Sequence, residues 1–227
     1  MNPHDGHRQR LKQRFLSEGL DNFDQVNVLE LLLFYALPRQ DTNPIAHALL
    51  TRFGSLAGVL EAPVDQIKQV PGVGEHAAIL ISLVTDLSRY YMVSRSSSAV
   101  YLRDTNQCGD YLMPRFFGLR DEAVCLLCLD AKCKVISCNM LSQGSVNSAG
   151  VPIRKLVELA LAANATSVVL AHNHPCGIAV PSVEDVETTN MLRDALHVVG
   201  ICLADHIIVA EDDFLSLAAS GLFHPAP

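Results

Sequence analysis

Few folds accommodate the stretch Ala171 to Asp185, which reads A-H-N-H-P-C-G-I-A-V-P-S-V-E-D. The residues before it, Thr166-Ser-Val-Val-Leu170, form a short β-branched and aliphatic run of the kind found in buried strands. On a continuation of that strand His172 and His174 stand at i and i+2, so both imidazoles leave the same face. From Ser182 to about His197 the pattern is helical, with Ser182 at the N-cap and Asp185 at the third helical position. The Pro175 to Pro181 loop is short enough to bring the first turn of that helix back to the histidines. Asp185 then completes a set of two imidazoles and one carboxylate with an open fourth position, the ligand count of a catalytic zinc site. The competing interpretation makes the histidines strand-end core residues and Ser182 and Asp185 a helix cap. An isolated H-x-H favours the cap; three or four members at this spacing favour the metal.

The H-x-H-P loop followed by S-x-x-D resembles the JAB/JAMM (MPN) metalloprotease motif. The wording LAHNHPCG, PSVEDV, TT and LADHIIVA is most similar to bacterial RadC-like proteins. The resemblance covers nearly the whole chain. It implies one Zn2+ per chain on His172, His174 and Asp185, with a water whose pKa is drawn down to about 7. It also implies an upstream glutamate, matched by Glu122 in LRDEAVCLLCLD, as the general base that holds this water and later protonates the leaving amine. Ser182 would donate to the oxyanion of a tetrahedral intermediate. One departure is Cys176, which stands where the family usually has serine; it is not among the ligands, and a thiol there could bind metal or oxidise. The implied activity is peptide or isopeptide hydrolysis on an unidentified peptide or protein substrate. The zinc-deaminase pattern H-x-E with P-C-x-x-C is absent, as is H-E-x-x-H. The alternative function is a non-enzymatic, DNA-repair-associated protein in which the metal domain serves as scaffold.

At 227 residues the chain is long enough for two small domains, and 49% hydrophobic residues with a positive mean hydropathy supply real cores. No apolar run reaches the roughly 18 residues that cross a bilayer, and the M-N-P-H-D-G-H-R-Q-R start has no apolar signal region, so a cytoplasmic protein without a membrane partner is expected. Seven cysteines, an odd number in apolar surroundings, suit reduced thiols. Cys125 and Cys128 form a C-x-x-C, but at an odd separation on a strand they face opposite sides and read as core residues. The net charge of −7 is uneven. Residues 1–99 hold nine basic and ten acidic side chains, whereas the remainder holds eight and fourteen. That balance argues against broad nonspecific nucleic-acid binding.

A helical domain is expected over residues 1–96 and a layered domain over 99–227, divided near Ser96 in the polar Arg95-Ser-Ser-Ser98. Gly6 to Gly19 reads as an amphipathic helix carrying Arg8, Arg10, Lys12 and Arg14, equally a solvated face or a nucleic-acid footprint. Further helices are expected over Asn27 to Leu37, Pro44 to Phe53 and onward to about Glu61. Val70-Pro-Gly-Val-Gly74 followed by Ala77 resembles a helix-hairpin-helix, in which Gly72 and Gly74 permit a tight turn beside a phosphate backbone. Leu56, Leu60, Ile67, Val70 and Ile79 would form its apolar side. Glu75 at the start of the next helix competes for the dipole a phosphate would use, so DNA binding and plain packing stand level. In the second half, Thr105 to Met113 and Ile153 to Ala163 read as helices. Strands are expected at Glu122 to Asp130, Lys134 to Asn139 and Ile201 to Ala210, with a loop over Gly144 to Val151. Asp205-His206 reads as a buried hydrogen-bonded pair with a structural role. The fold class is therefore an all-α helix-hairpin-helix domain followed by an α/β (α+β) JAB/MPN-type mixed sheet flanked by helices.

Overall fold

In the computed structural model, residues 3–94, 100–142, 152–175 and 177–225 are described, and the chain divides into two compact units, 1–88 and 89–227. The first is helical: α1 (Pro3–Glu18), α2 (Gln25–Ala36), α3 (Asn43–Phe53), α4 (Leu56–Leu60), α5 (Val64–Ile67) and α6 (Glu75–Ser94), whose last turns run into the second. Local chemistry sets the boundaries. The Asp24 carboxylate accepts from the Asn27 amide at the start of α2, Ser55 accepts from Gly58 at the start of α4, and Gly54 closes α3 at φ 83°. Leu29, Leu33, Leu49, Ile67 and Ile81 are fully buried between these helices. Ile79, expected on the apolar side of the hairpin, is half exposed, and α6 turns Ala77, Ala78 and Ile81 inward instead. The helical period explains this, since position 79 lies about 200° around the helix from position 77.

The basic face of α1 is largely turned onto its own neighbours. Arg8 donates to the carbonyls of Leu37 (2.7 Å) and Gln40, just past the end of α2, and its guanidinium lies 4.7 Å from the centroid of Phe34. Lys12 sits over Tyr35, while Arg14 stacks on Phe23, donates to the Asn22 carbonyl and pairs with Glu18 at 3.6 Å. These contacts engage Arg8, Lys12 and Arg14 within the helical unit, so three of the four cations are not a freely solvated face. In the turn after α5, Gly72 has φ 87°, and a Cβ there would lie 2.9 Å from Ile45 Cδ1. Gly74 has no positive φ and its Cβ would meet nothing, so the turn requires glycine only at 72.

The second unit contains α7 (Thr105–Phe116), β1 (Ala123–Leu129), β2 (Val135–Ser142), α8 (Ile153–Ala162), β3 (Ser167–Asn173), α9 (Val183–Val198), β4 (Cys202–Ala210) and β5 (Asp213–Ser216). The described strands form one mixed sheet in the order β2-β1-β3-β4-β5, antiparallel except for the β3–β4 pair, which α9 connects. One face carries Leu126, Cys128, Val168, Leu170 and Ile208 beneath α8 and α9. The other carries Cys125, Leu127, Val169 and Ile207 beneath Leu112 and Phe116 of α7. Cys125 and Cys128 therefore do face opposite sides. The expected strand from Glu122 begins one residue later, at Ala123, and β5 was not foreseen. The Gly144 to Val151 loop and Cys176 lie outside the described residues. Among the described residues no helix is long and apolar enough to cross a membrane.

Candidate metal centre

The alternation of β3 decides where the histidines go. Leu170 packs on the α8–α9 face, so His172 and then His174 follow it onto that side, where α9 begins. The start of α9 is fixed by a capping box: the Asp185 amide donates to Ser182 Oγ (3.1 Å), while Asp185 Oδ2 accepts from the Ser182 amide (2.8 Å) and hydroxyl (2.7 Å). This leaves Asp185 Oδ1 facing the histidines. His172 Nε2 lies 2.9 Å from His174 Nε2 and 3.3 Å from Asp185 Oδ1; His174 Nε2 lies 3.9 Å from Asp185 Oδ2. One ligand atom from each of the three residues falls within 4.8 Å of the others. Tetrahedral zinc with Zn–N of about 2.0–2.1 Å spaces its ligands about 3.3 Å apart, and the observed separations bracket that value.

The hydrogen-bond partners fix the tautomers. Thr189 Oγ1 donates to the Asp185 carbonyl (2.5 Å), so it can only accept from His206 Nδ1, also at 2.5 Å. His206 Nε2 is then an acceptor, and His172 Nδ1 donates to it over 2.8 Å. That chain leaves a lone pair on His172 Nε2. His174 Nδ1 faces the Ile178 carbonyl at 3.2 Å and must donate, which leaves a lone pair on His174 Nε2 as well. Two nitrogen lone pairs and a carboxylate oxygen thus point at one place, an arrangement that a cation satisfies and that repels itself otherwise. Burial pushes His172 down to about 4, with His174 adding and Asp185 opposing, and pushes His206 down to about 3, with His172 adding. Both are neutral near neutral pH, the state a metal requires. Burial works to raise the Asp185 carboxyl, but the Ser182 hydrogen bonds and the nearby histidines prevail and hold it below the usual carboxylate range.

Of the residues singled out in the sequence, His172, His174 and Asp185 come together. Glu122 is exposed at the foot of β1. The β1–β3 ladder ends where Val124 pairs with His172, and Glu122 lies two residues before Val124, just outside β1. Next to it, the Ala123 amide donates to Asn173 Oδ1 (2.7 Å) and Asn173 Nδ2 donates to the Asp121 carbonyl (3.3 Å), tying the start of β1 to the end of β3. The hydroxyl hydrogen of Ser182 goes to Asp185 Oδ2, and a substrate oxyanion could receive it only by displacing that bond. Gly72 and Gly74 belong to residues 1–88, and His172, His174 and Asp185 to residues 89–227.

Asp205 and His206 are both buried and are joined as expected by a hydrogen bond, from the His206 backbone amide to Asp205 Oδ1 (2.7 Å), but the two side chains point to opposite faces of the sheet. Asp205 accepts from Ser216 (2.6 Å) and Thr105 (3.3 Å) on the α7 side, while His206 crosses to the metal side and holds His172. His206 and Thr189 are the site residues that sequence reading missed; the available signal was a polar doublet inside an otherwise apolar strand. This geometry agrees with the comparison to known families, in which residues 102–222, more than half of the 227, match the RadC-like JAB domain. The chain belongs to the RadC-like JAB domain family.

Proposed function

We propose that this protein is a zinc-dependent hydrolase of the JAMM type, acting on peptide or isopeptide bonds. The observation that carries the proposal is the convergence of His172 Nε2, His174 Nε2 and the Asp185 carboxylate, with both imidazoles set as Nδ1–H tautomers. Three protein ligands of this N,N,O composition suit a catalytic zinc site, where structural zinc sites use four. Zinc bound there supplies Lewis acidity that polarises an amide carbonyl or lowers the pKa of water to about 7.

The side chains of the protein then divide the remaining work. Glu122, two residues before the Val124 that pairs with His172, takes a proton on a carboxylate oxygen and returns it to the leaving amine nitrogen. Ser182 holds Asp185 through the capping box, and its hydroxyl is the donor available to a developing oxyanion once it releases Asp185 Oδ2. His206 and Thr189 keep the His172 lone pair directed at the ligand cluster.

The test is a zinc-loaded full chain assayed by mass spectrometry against linear peptides and lysine-branched isopeptides. Cleavage that Glu122→Gln abolishes without loss of bound zinc is expected. Equal cleavage by wild type and His172→Ala would sink the proposal. A DNA contact through Gly72 and Gly74 rests on sequence pattern alone, and the internal engagement of Arg8, Lys12 and Arg14 weakens it. Strongly salt-dependent binding of single-stranded or forked DNA by the full chain would restore that reading.

A further inference from the structure

On the sheet face opposite the histidines two cysteines lie sulfur to sulfur. Cys125 Sγ and Cys138 Sγ are 3.1 Å apart. The register pairs Cys125 with Met140 and Leu127 with Cys138, so the two cysteines are diagonal neighbours across β1 and β2 on the α7 side. Cys125 is fully buried, whereas Cys138 is partly exposed on β2, an outer strand of the described sheet. Arg115, near the end of α7, lies over the Tyr111 ring with its guanidinium 3.5 Å from the centroid, and its positive charge acts on Cys138. The hydrogen bond from the Cys125 thiol, opposed by burial and aided by Arg115, holds the Cys138 thiol below its ordinary pKa. Cys125 is held well above it, by that same hydrogen bond and then by burial. One sulfur is thus disposed to be a thiolate nucleophile and the other to remain a protonated partner.

We propose that Cys125 and Cys138 form a reversible redox pair, independent of the metal centre, that hydrogen peroxide oxidises to a disulfide joining β1 to β2. The Cys138 thiolate attacks one peroxide oxygen, the O–O bond breaks, and the departing hydroxide takes up a proton and leaves as water. Cys138 is now a sulfenic acid. Cys125 sulfur then attacks Cys138 sulfur as its own proton passes to the leaving hydroxyl, so the S–S bond forms, the S–O bond breaks and a second water departs. In sum two thiols are oxidised and one hydrogen peroxide is reduced to two waters. The geometry favours a labile link over a permanent staple. Diagonal strand neighbours have Cα atoms about 7–8 Å apart, beyond the roughly 4.4–6.8 Å that relaxed disulfides span. The bond therefore forms only as the outer strand is drawn in, and a small dithiol reopens it.

The experiment treats the reduced full chain with graded hydrogen peroxide, quenches with catalase, alkylates free thiols in denaturant and maps peptides by mass spectrometry. Cys125 and Cys138 should disappear together as one linked pair, lighter by two hydrogens, before Cys133 and Cys202 react, and dithiothreitol should restore both. In Cys125→Ser, checked for folding by circular dichroism, Cys138 should instead accumulate as a dimedone-trapped sulfenic acid. Arg115→Met should slow loss of the pair in a chain that still folds. The proposal is overturned if Cys133 or Cys202 oxidises while Cys125 and Cys138 remain alkylatable. It is equally overturned if wild-type Cys138 is oxidised without the link forming.

Discussion

Thr189→Val removes one hydroxyl from a fully buried position on α9 and leaves the shape almost unchanged. That hydroxyl both donates to the Asp185 carbonyl and accepts from His206 Nδ1. Without it the His206 N–H is left buried and unpaired, a cost of about 1–3 kcal/mol. The ring can escape by shifting its proton to Nε2, but it then donates to His172 Nδ1 and forces a proton onto His172 Nε2, the atom that faces the other ligands. Metal binding must reverse that shift. The same 1–3 kcal/mol should therefore be lost from zinc affinity, roughly a 5–150-fold weakening, in line with the 10–100-fold typical of residues that support metal ligands. Competition against a chromogenic zinc chelator near neutral pH measures the effect, with circular dichroism as the check on folding. Thr189→Ser, which keeps the hydroxyl, should bind nearly as wild type does. If the valine variant matches wild-type affinity, the tautomer argument is wrong.

Other perturbations follow from the same structure. In chelator-stripped protein, His172 and His206 have folded pKa values of about 4 and 3, below the unfolded value near 6.5. The unfolded chain then binds more protons, so stability is full above about pH 6.5 and falls toward pH 4 by as much as about 1.4 kcal/mol per pH unit for each group. Urea melts at several pH values check this, and a flat profile would contradict it. Ser182→Ala breaks one arm of the capping box and should cost about 1 kcal/mol, with a measurable drop in zinc affinity as Asp185 loosens. Gly72→Ala should destabilise residues 1–88 by roughly 1–3 kcal/mol, because alanine at that φ is strained and its Cβ meets Ile45. Gly74→Ala should cost less than about 1 kcal/mol; equal costs in denaturant titrations would show that the turn is not held as described.

The parts of the site readable in the sequence were those governed by local rules. The period-2 alternation of β3 put His172 and His174 on one face, and the spacing from Ser182 to Asp185 gave the capping box that aims the carboxylate. What was missed depends on pairing between distant segments. The β3–β4 register slips between Val168 and Val169, so Leu203 pairs with Val168 but Asp205, not Ala204, pairs with Val169. Without that extra residue Asp205 would share the face of Leu203 and the candidate ligands; with it, His206 takes that side. No periodicity in the chain encodes the slip. The Cys125–Cys138 approach hangs likewise on the β1–β2 register, and the exposure of Ile79 on the phase at which α6 meets its neighbours. β5 is four residues directly after a turn, too short for alternation to stand out.

The central claim is that three side chains of this chain bind one divalent zinc. Elemental analysis of full-length protein purified without chelators tests it most directly, beside His174→Ala and Asp185→Asn. The account predicts about one zinc per wild-type chain and little in either variant, with helix content unchanged. Wild-type protein that folds yet carries no zinc and takes none up in titration, or variants that retain as much as wild type, would contradict it.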